Sequence, residues 1–232
     1  MEFVWIPPGT FLMGSNPMEP ADPRPAPLHE VAITEGFYLG RYEVTQEEWE
    51  RIMGENPGSF GECGPRCPIE TVSWDEVQEF LRRLNELGPA SLFRLPTEAE
   101  WEYACRAGTS TPFAGRSTLT AVHANIDGRM PYPGEPPGAF RGTPTPVGSF
   151  APNGWGLYDM HGNVWEWTAD EYCPYPSEPV SDPVGGCGSG VKNIRGGSWY
   201  FSASSARCGR RYTHAPSDRG FSIGFRVVRE AR

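Results

Sequence analysis

Apolar residues recur with helical spacing in three short segments of the first half of the chain. Each segment begins with a hydroxyl residue that is followed three positions later by a glutamate, at residues 45–48 (TQEE), 73–76 (SWDE) and 97–100 (TEAE). This is the capping-box pattern, in which the hydroxyl and the carboxylate each satisfy a free backbone amide at a helix start. The pattern predicts three helices, and it gives their glutamates a structural role rather than a catalytic one.

Glycines predict where these helices end. The expected ends are near Met53, Leu87 and Arg106, each followed within two residues by glycine: Gly54, Gly88 and Gly108. The side chains predicted to face the core are Val77, Phe80, Leu81 and Leu84 of the second helix, and Trp101, Ala104 and Cys105 of the third.

Strand patterns are short and lie near the two ends of the chain. They cover residues 3–6, 11–13, 31–33, 37–39, 43–44, 193–195 and 225–228. Between them, residues 109–154 form a loop rich in Pro, Gly and Ser. A loop of this length inside a compact domain must be ordered by a metal, an aromatic core or a ligand.

Composition and charge narrow the functional classes. The chain has 232 residues, no recognisable linker and a net charge of −9, which argues against nucleic-acid binding. No run of 18 apolar residues is present, and residues 1–5 lack the basic start of a signal peptide. We therefore expect neither a membrane partner nor secretion, and a cytoplasmic location.

The six cysteines leave several pairings open. Cys63 and Cys67 have the spacing of half a zinc site, but no second pair matches them, so a local disulfide or two free thiols is favoured. Cys105 lies on the apolar side of the third helix and is predicted to be a buried, unpaired side chain.

Residues 153–167 (NGWGLYDMHGNVWEW) are the densest aromatic stretch. Asp159, Asn163 and Glu166 lie among three tryptophans there, where a carboxylate must be paired or bound to a cation. Oxygen ligands at irregular spacing suit Ca²⁺. The alternative is that these polar groups cap turns and accept hydrogen bonds from indole N–H groups.

Further motifs follow one another in a characteristic order: residues 6–14 (IPPGTFLMG), 40–46 (GRYEVTQ), 94–104 (RLPTEAEWEYA), 153–167, 195–199 (RGGSW) and 223–226 (IGFR). This series resembles the formylglycine-generating enzyme (sulfatase-modifying factor) family over essentially the whole chain. The resemblance implies one domain, residues 1–232, with an α+β, C-type-lectin-like fold. That fold has a small central antiparallel sheet, here about three helices, and much irregular loop.

The oxidases of this family convert a sulfatase cysteine to formylglycine, using O₂ and copper held by two thiolates just after the Gly-Gly-Ser-aromatic turn. Residues 200–207 contain no cysteine, and Cys208 resembles a third, non-catalytic cysteine of the family. Because Cu(I) requires soft paired ligands, we expect neither copper nor oxidase activity. The four histidines, His29, His123, His161 and His214, form no i,i+4 pair and do not match the iron-dependent relatives.

The resemblance also implies structural calcium. One site would use Asp159, Glu166 and the carbonyl groups of Gly162 and Val164. A second would use Asn125, the Ile126 carbonyl, a carboxylate and the Phe140 carbonyl, but Gly138 stands where that carboxylate is expected.

Some relatives are variable proteins of diversity-generating retroelements, in which adenine-directed mutagenesis alters a C-terminal segment. Residues 200–222 resemble that segment and lie between two family motifs. The positions predicted to vary are Tyr200, Phe201, Ser202, Ser204, Ser205, Arg210, Thr213, His214, Ala215, Ser217, Gly220, Phe221 and Ser222. Mutating the adenines of Asn codons cannot give Lys, Glu, Gln, Met or Trp, and residues 200–223 contain none of these five.

The sequence therefore predicts a non-catalytic domain that binds a protein or other macromolecule through residues 200–222, with Trp199 and Arg226 supporting that segment from below. Tyrosine, serine and glycine on a rigid frame are typical of a paratope. Three alternatives remain: a copper oxidase with an unusual site, a scaffold or regulatory domain, and a surface loop without function.

Overall fold

The computed structural model describes residues 1–15, 26–88 and 92–231. Within these residues lie three α-helices: α1 (Gln46–Met53), α2 (Trp74–Glu86) and α3 (Glu98–Arg106). All three predicted capping boxes are present, since each hydroxyl accepts a backbone N–H bond and each glutamate accepts one from the cap residue. The sequence thus predicted every helix start.

The helix ends follow the prediction less closely. Helix α1 ends at Gly54 in the left-handed conformation (φ 90°), as expected. Helix α3 ends at Ala107, which adopts φ 46° although it is not glycine, one residue before Gly108. The predicted core residues of α2 and α3 are buried, except that Leu84 is only partly buried.

Three small sheets replace the single central sheet expected from the resemblance. The first is antiparallel, with strand order β1 (Phe3–Ile6), β4 (Phe37–Gly40), β11 (Val228–Glu230) and β5 (Phe93–Arg94). It lies between two apolar clusters: Ile6, Leu39 and Val228 belong to one, and Phe3 and Phe93 pack against the other.

The second sheet has the order β10 (Ile223–Gly224), β6 (Trp165–Glu171), β8 (Lys192–Arg195) and β9 (Tyr212–His214), and β10 runs parallel to β6. Strand β6 was not predicted, although apolar and polar residues alternate from Trp165 to Asp170; its first residues were interpreted as part of the aromatic stretch 153–167, and most of its side chains of both kinds are buried. The third sheet joins β2 (Gly9–Met13), β3 (His29–Ile33) and β7 (Val180–Ser181), with β3 and β7 parallel.

Two strand predictions were wrong in detail. Residues 43–44 are not in a strand; the Val44 amide instead donates to the Phe225 carbonyl. The predicted strand at 225–228 is replaced by β10 and β11, which lie in different sheets. Residues 225–227 therefore carry the chain from one sheet to the next.

Residues 109–154 contain no helix or named strand, as predicted. They are ordered in part by an apolar cluster that includes Phe113, Ile126 and Tyr132 and that also buries Ala203 and Ala206 of the 200–222 segment. Of the three means by which this loop could be ordered, a metal, an aromatic core or a ligand, the structure shows the aromatic core. In the described part of the chain, α2 is the longest helix at 13 residues, and no helix there has the length and apolar composition to span a bilayer.

All six cysteines lie in three disulfides: Cys63–Cys67, Cys105–Cys208 and Cys173–Cys187. Cys63 and Cys67 form a local disulfide, which was one of the two alternatives favoured for them. The predictions of an unpaired Cys105 and a lone Cys208 were wrong, because α3 brings these two side chains together across a sequence separation of 103 residues. Spacing alone could not reveal this long-range contact.

Candidate functional site

A tight turn places the start of the 200–222 segment. Gly196 and Gly197 both have positive φ, and a Cβ atom at Gly197 would lie only 2.9 Å from the Cα atom of Ala206. Only glycine fits this close approach. After the turn, the Trp199 amide donates to the Asn163 carbonyl at 2.8 Å, and the Trp199 side chain is 4% exposed.

A buried ion pair fixes the segment's exit. The guanidinium of Arg226 donates from Nε to Oε2 and from Nη2 to Oε1 of Glu166, both at 2.6 Å. Its other contacts are the carbonyl oxygens of Gly40 and Tyr158, each at 3.0 Å. Both Arg226 and Glu166 are fully buried, and the hydrogen bonds of Arg226 go to residues outside the 200–222 segment, so its supporting role beneath that segment stays a prediction.

The middle of the segment is held by Arg195 and a disulfide. Cys208 is bonded to Cys105 of α3, and Arg195 donates to the Cys208 carbonyl at 2.6 Å. Arg195 also pairs with Glu102 at 2.5 Å and Glu98 at 3.3 Å. The segment is therefore fixed at both ends and near its centre.

The outer side of this frame carries a surface that we call the aromatic face, made of Tyr200, Phe201, Tyr212 and Phe221. Three of its rings are large and exposed: Tyr200 by 48%, Phe221 by 44% and Tyr212 by 41%. The Tyr200 and Phe221 rings lie 5.3 Å apart at 79°, and Phe201 links Tyr200 to Tyr212 with centroid distances of 6.1 and 6.3 Å. The two contacts of Tyr200 are edge-to-face and that between Phe201 and Tyr212 is tilted at 59°, and together they preorganise the side chains.

Buried tryptophans form the base of the aromatic face. Trp199 lies 5.3 Å from Tyr200 and 5.7 Å from Phe221, and Trp165 lies 5.6 Å from Phe201. The indole N–H groups of Trp165 and Trp199 are buried and have no hydrogen-bond partner among the described residues. Such donors are costly to leave unsatisfied.

Two residues outside the segment extend the base. Phe60 packs edge-on against Trp199 at 5.2 Å, and Phe140 lies 6.0 Å from it. The guanidinium of Arg129 stacks on Phe140 at 3.8 Å while it pairs with Asp127 at 2.8 Å. The sequence did not assign Phe60 or Arg129 to the site, because only the fold brings these loops to residue 199.

The predicted variable positions differ in exposure. Tyr200, Ser217 and Phe221 are exposed, whereas Ser222 is 5% exposed and thus buried. The remaining positions are of intermediate exposure: Phe201, Ser202, Ser204, Ser205, Arg210, Thr213, His214, Ala215 and Gly220. Tyr212 was not among the predicted positions, although it contributes an exposed ring to the face.

Apart from Ser222, all buried residues of the segment lie at positions that were predicted not to vary. They are Ala203, Ala206, Arg207, Cys208 and Gly209. The other five positions predicted not to vary are not buried: Arg211, Tyr212, Pro216, Asp218 and Arg219. The predicted division therefore follows burial only in part.

Backbone strain concentrates next to this segment. Thr71, Asp159 and Asn163 have φ of 62°, 55° and 61°, a conformation that is rare for residues other than glycine and exceptional for β-branched threonine. Thr71 is held there because its amide donates to the Gly220 carbonyl at 3.0 Å and its hydroxyl bonds to the buried Glu70 carboxylate. Strain of this kind persists where the surrounding structure enforces it.

The first predicted calcium site is a cluster of buried acids. Glu166 is hydrogen-bonded to Arg226, and Glu43 and Asp159 lie close enough for their charges to act on the same guanidinium. Burial raises the pKa of Asp159 to about 6, and burial together with the neighbouring acids raises the pKa of Glu43 well above its usual range. An added cation would relieve this excess negative charge, so the donor set suits Ca²⁺. Glu166, however, also accepts from the Trp101 indole at 2.6 Å, so its oxygens already have partners.

The second predicted calcium site lies beside the first. Asn125 forms a bridge with Gly162, and the Asn163 amide donates to the Asn125 carbonyl at 2.8 Å. Asn125 Oδ1 is buried and has no hydrogen-bond partner among the described residues, so this oxygen can still accept a ligand. Gly138 supplies no carboxylate, and the nearby carboxylate of Asp127 is already paired with Arg129. The side chain of Asn125 fits an ion, while the rest of this donor set is incomplete.

Comparison with known proteins agrees with the fold and the motifs. The model of the family described as "Sulfatase-modifying factor enzyme 1-like domain" matches residues 1–231. The formylglycine-generating enzyme of Bos taurus is 28% identical over 286 aligned residues, covering 98% of this chain and 74% of that protein.

Two solved structures share the architecture. Treponema denticola variable protein 1 has a TM-score of 0.84 and 25% identity, covering 99% of this chain and 95% of that one. PvdO from Pseudomonas aeruginosa has a TM-score of 0.83 and 34% identity, covering 99% and 94%. With its motifs, its three helices and small sheets, and a family match over nearly its whole length, the chain belongs to the sulfatase-modifying factor enzyme 1-like domain family.

Proposed function

We propose that this chain is a non-catalytic binding domain that presents residues 200–222 to a protein or another macromolecule. The observation that carries this proposal is the aromatic face, in which Tyr200, Tyr212 and Phe221 are exposed on a fixed tryptophan base. Contiguous exposed aromatic side chains mark interaction sites, and aromatic residues dominate binding energy at interfaces. Because the rings pack on one another, little side-chain entropy is lost when a partner binds.

The cysteines favour binding over oxidation. Each of the six is bonded to another cysteine, and residues 200–207 contain none. A copper site of the family type needs two thiolates next to the Trp199 turn, and this chain offers neither there. The oxidase alternative therefore has no observation in its favour beyond family membership.

The likeness to a variable protein of Treponema denticola supports the more specific proposal that residues 200–222 are diversified. Five of the six buried residues of the segment lie at positions predicted to stay constant, which supports it further, because a diversified segment must keep its buried residues. The locus tests this idea directly. We expect a near-copy of the 3′ coding end that differs only at adenines, close to a reverse-transcriptase gene; a locus without such a copy contradicts diversification but leaves the binding proposal intact.

We also propose that Ca²⁺ stabilises the loops around Asp159 and Glu166. Bound there, the ion would supply positive charge to the buried acids, and Asn125 would offer its free side-chain oxygen at the adjoining site. Thermal unfolding with excess Ca²⁺ and with EDTA tests this. We expect a higher midpoint with Ca²⁺ and no such shift with Mg²⁺; equal midpoints in Ca²⁺ and EDTA contradict the proposal.

A direct assay separates binding from oxidation. The purified chain is incubated with Cu(I), O₂ and a cysteine-containing sulfatase peptide, beside an active formylglycine-generating enzyme as positive control. We expect no aldehyde by mass spectrometry. Aldehyde formation by this chain overturns the proposed function.

The aromatic face can be tested without knowing the natural ligand. Peptides are selected from a displayed random library on the wild-type chain, and their affinities are measured for Tyr200→Ser and Phe221→Ser. Since exposed aromatic anchors contribute most of the energy at such sites, we expect each substitution to weaken binding at least about tenfold. Leu12→Ser is the matched control, because Leu12 is 54% exposed on β2 in another sheet. Equal affinity of the Tyr200 and Phe221 variants contradicts the proposal.

A further inference from the structure

Three metal-binding side chains meet on the inner side of the 200–222 segment. The ligand atoms of Cys105, His161 and Cys208 all lie within 4.8 Å of one another. Both cysteines are fully buried and His161 is half-buried. Cys105 lies in the last turn of α3, and Cys208 follows a short 3-10 helix at Ala203–Ala206, so ordered elements hold these ligands.

The hydrogen bonds of His161 define its tautomer. Nδ1 lies 2.7 Å from the Ala206 carbonyl oxygen, and Nε2 accepts from the Ala114 amide at 3.1 Å. A carbonyl oxygen can only accept, so Nδ1 carries the proton and Nε2 carries the lone pair. Histidines that bind metals commonly donate their other ring N–H to a carbonyl in this way.

A cavity reaches this cluster at His161, although neither Cys105 nor Cys208 lines it. It has a volume of about 110 Å³ and is lined by Ala114, Met160 and His161 together with the side chains of Arg116 and His123. Arg116 is exposed, so the cavity opens to solvent. An ion could enter here, and a water molecule in the cavity could complete its coordination.

We propose that, when the Cys105–Cys208 disulfide is reduced, these two cysteines and His161 bind one zinc-class ion. A dithiol reductant supplies two electrons and two protons to the S–S bond and is itself oxidised to a disulfide. The ion then releases the two thiol protons, and two thiolates and Nε2 become its ligands while the Ala114 amide gives up its bond to Nε2.

The ion and the disulfide are then alternative cross-links between α3 and residues 203–208. Disulfides persist in oxidising compartments and are rare in reducing ones. The ion would keep the base of the segment attached to α3 under reducing conditions. This inference does not depend on what the aromatic face binds.

Cobalt(II) is the probe, because thiolate ligands give it a charge-transfer absorbance. The other four cysteines are replaced by serine, which leaves only Cys105 and Cys208, and the protein is reduced under anaerobic conditions. We expect one equivalent of Co²⁺ to bind, to be displaced by Zn²⁺, and not to bind to the oxidised protein. His161→Gln should weaken binding at least about tenfold. His123→Gln, which changes the other histidine of the same cavity, should not.

Two outcomes overturn the proposal. One is a reduced protein with native circular dichroism that gives no thiolate–cobalt absorbance. The other is equal Co²⁺ affinity in the His161→Gln variant.

A second measurement decides the question if the serine variant does not fold. The reduced full-length chain, with all six cysteines, is alkylated by iodoacetamide with and without Zn²⁺, and each site is followed by mass spectrometry. We expect Zn²⁺ to slow alkylation of Cys105 and Cys208 more than that of Cys63 and Cys67. Equal protection of both pairs contradicts the proposal.

Discussion

The Arg226–Glu166 pair shows how single residues hold the chain where it leaves the 200–222 segment, because it joins the residues after β10 to β6. Both side chains are fully buried, and every contact of the guanidinium goes to a carboxylate or carbonyl oxygen. Removing charges from water is costly, so a buried pair adds little net stability, yet losing one partner leaves the other uncompensated. The IGFR motif at residues 223–226 thus has a physical reason: its arginine is the counter-ion of an acid inside the core.

Replacing Glu166 with Gln tests this at the residue scale. Glutamine keeps the shape but replaces one of the two oxygens that accept from Arg226 with an NH2 group that cannot accept, so we expect a loss of about 3–5 kcal/mol in the free energy of unfolding. Urea unfolding in EDTA measures it without any contribution from Ca²⁺. The control is Glu79→Gln, whose ion pairs with Arg82 and Arg83 lie on the surface and should change stability little. Similar losses in the two variants contradict the argument.

Asp170 gives a pH-dependent prediction at the same scale. Burial raises the pKa of its carboxyl to about 6, although the backbone amides of Glu98 and Gly185 donate to it and act in the opposite direction. The unfolded value is near 4. The native state therefore holds this proton more tightly than the unfolded state, so its contribution to stability is complete below pH 4 and is lost as the pH rises through 6.

Between pH 4 and pH 7, the stability of the wild-type chain should therefore fall relative to that of Asp170→Asn, by about 3 kcal/mol. Urea unfolding of both proteins across this range measures the difference. If the stability of the wild type relative to Asp170→Asn stays constant over this range, or rises with pH, the two backbone donors outweigh burial.

At the scale of elements, the sequence predicted the features that depend on interactions between residues close to one another in the chain. The three capping boxes involve residues three positions apart, and all three form. Strand β6 was missed although apolar and polar residues alternate along it, because its first residues were assigned to the aromatic stretch 153–167, and β10 was missed because two residues give no pattern at all. The same limit applies to the site: residues 200–222 were identified from their flanking motifs, whereas Phe60, Phe140 and Arg129 join the face through contacts between distant loops.

The cap of α2 can be tested by Ser73→Ala. The Ser73 hydroxyl accepts from the Glu76 amide at 3.2 Å, and alanine would leave that donor without its partner. We expect a loss of about 1 kcal/mol in the free energy of unfolding. Ser117→Ala is the matched control, since Ser117 is exposed and lies outside every helix. A loss no larger than that of the control contradicts the assigned role of the box.

At the scale of the whole molecule, the disulfides connect distant parts of the chain, and short-range sequence patterns could not predict these connections. Cys105–Cys208 connects α3 to the 200–222 segment, while Cys63–Cys67 closes a loop of only a few residues. Three disulfides form most readily in an oxidising compartment, whereas the sequence predicted a cytoplasmic protein. Location stays a prediction, and the thiol content of the chain in freshly quenched cells tests it.

The length of the loop that each disulfide closes determines how much stability the disulfide is expected to add. A cross-link removes more entropy from the unfolded chain when it closes a longer loop, and this amounts to about 4–5 kcal/mol for a loop of 100 residues but about 2 kcal/mol for one of five. Replacing both Cys105 and Cys208 with serine should therefore cost the oxidised protein more stability than replacing both Cys63 and Cys67, as measured by urea unfolding. Intact-mass measurement of the unreduced wild type, lighter by six hydrogens than the reduced chain, first verifies that all three disulfides are formed. If the two double variants lose equal stability, the Cys105–Cys208 cross-link is not what holds the base of the segment against unfolding.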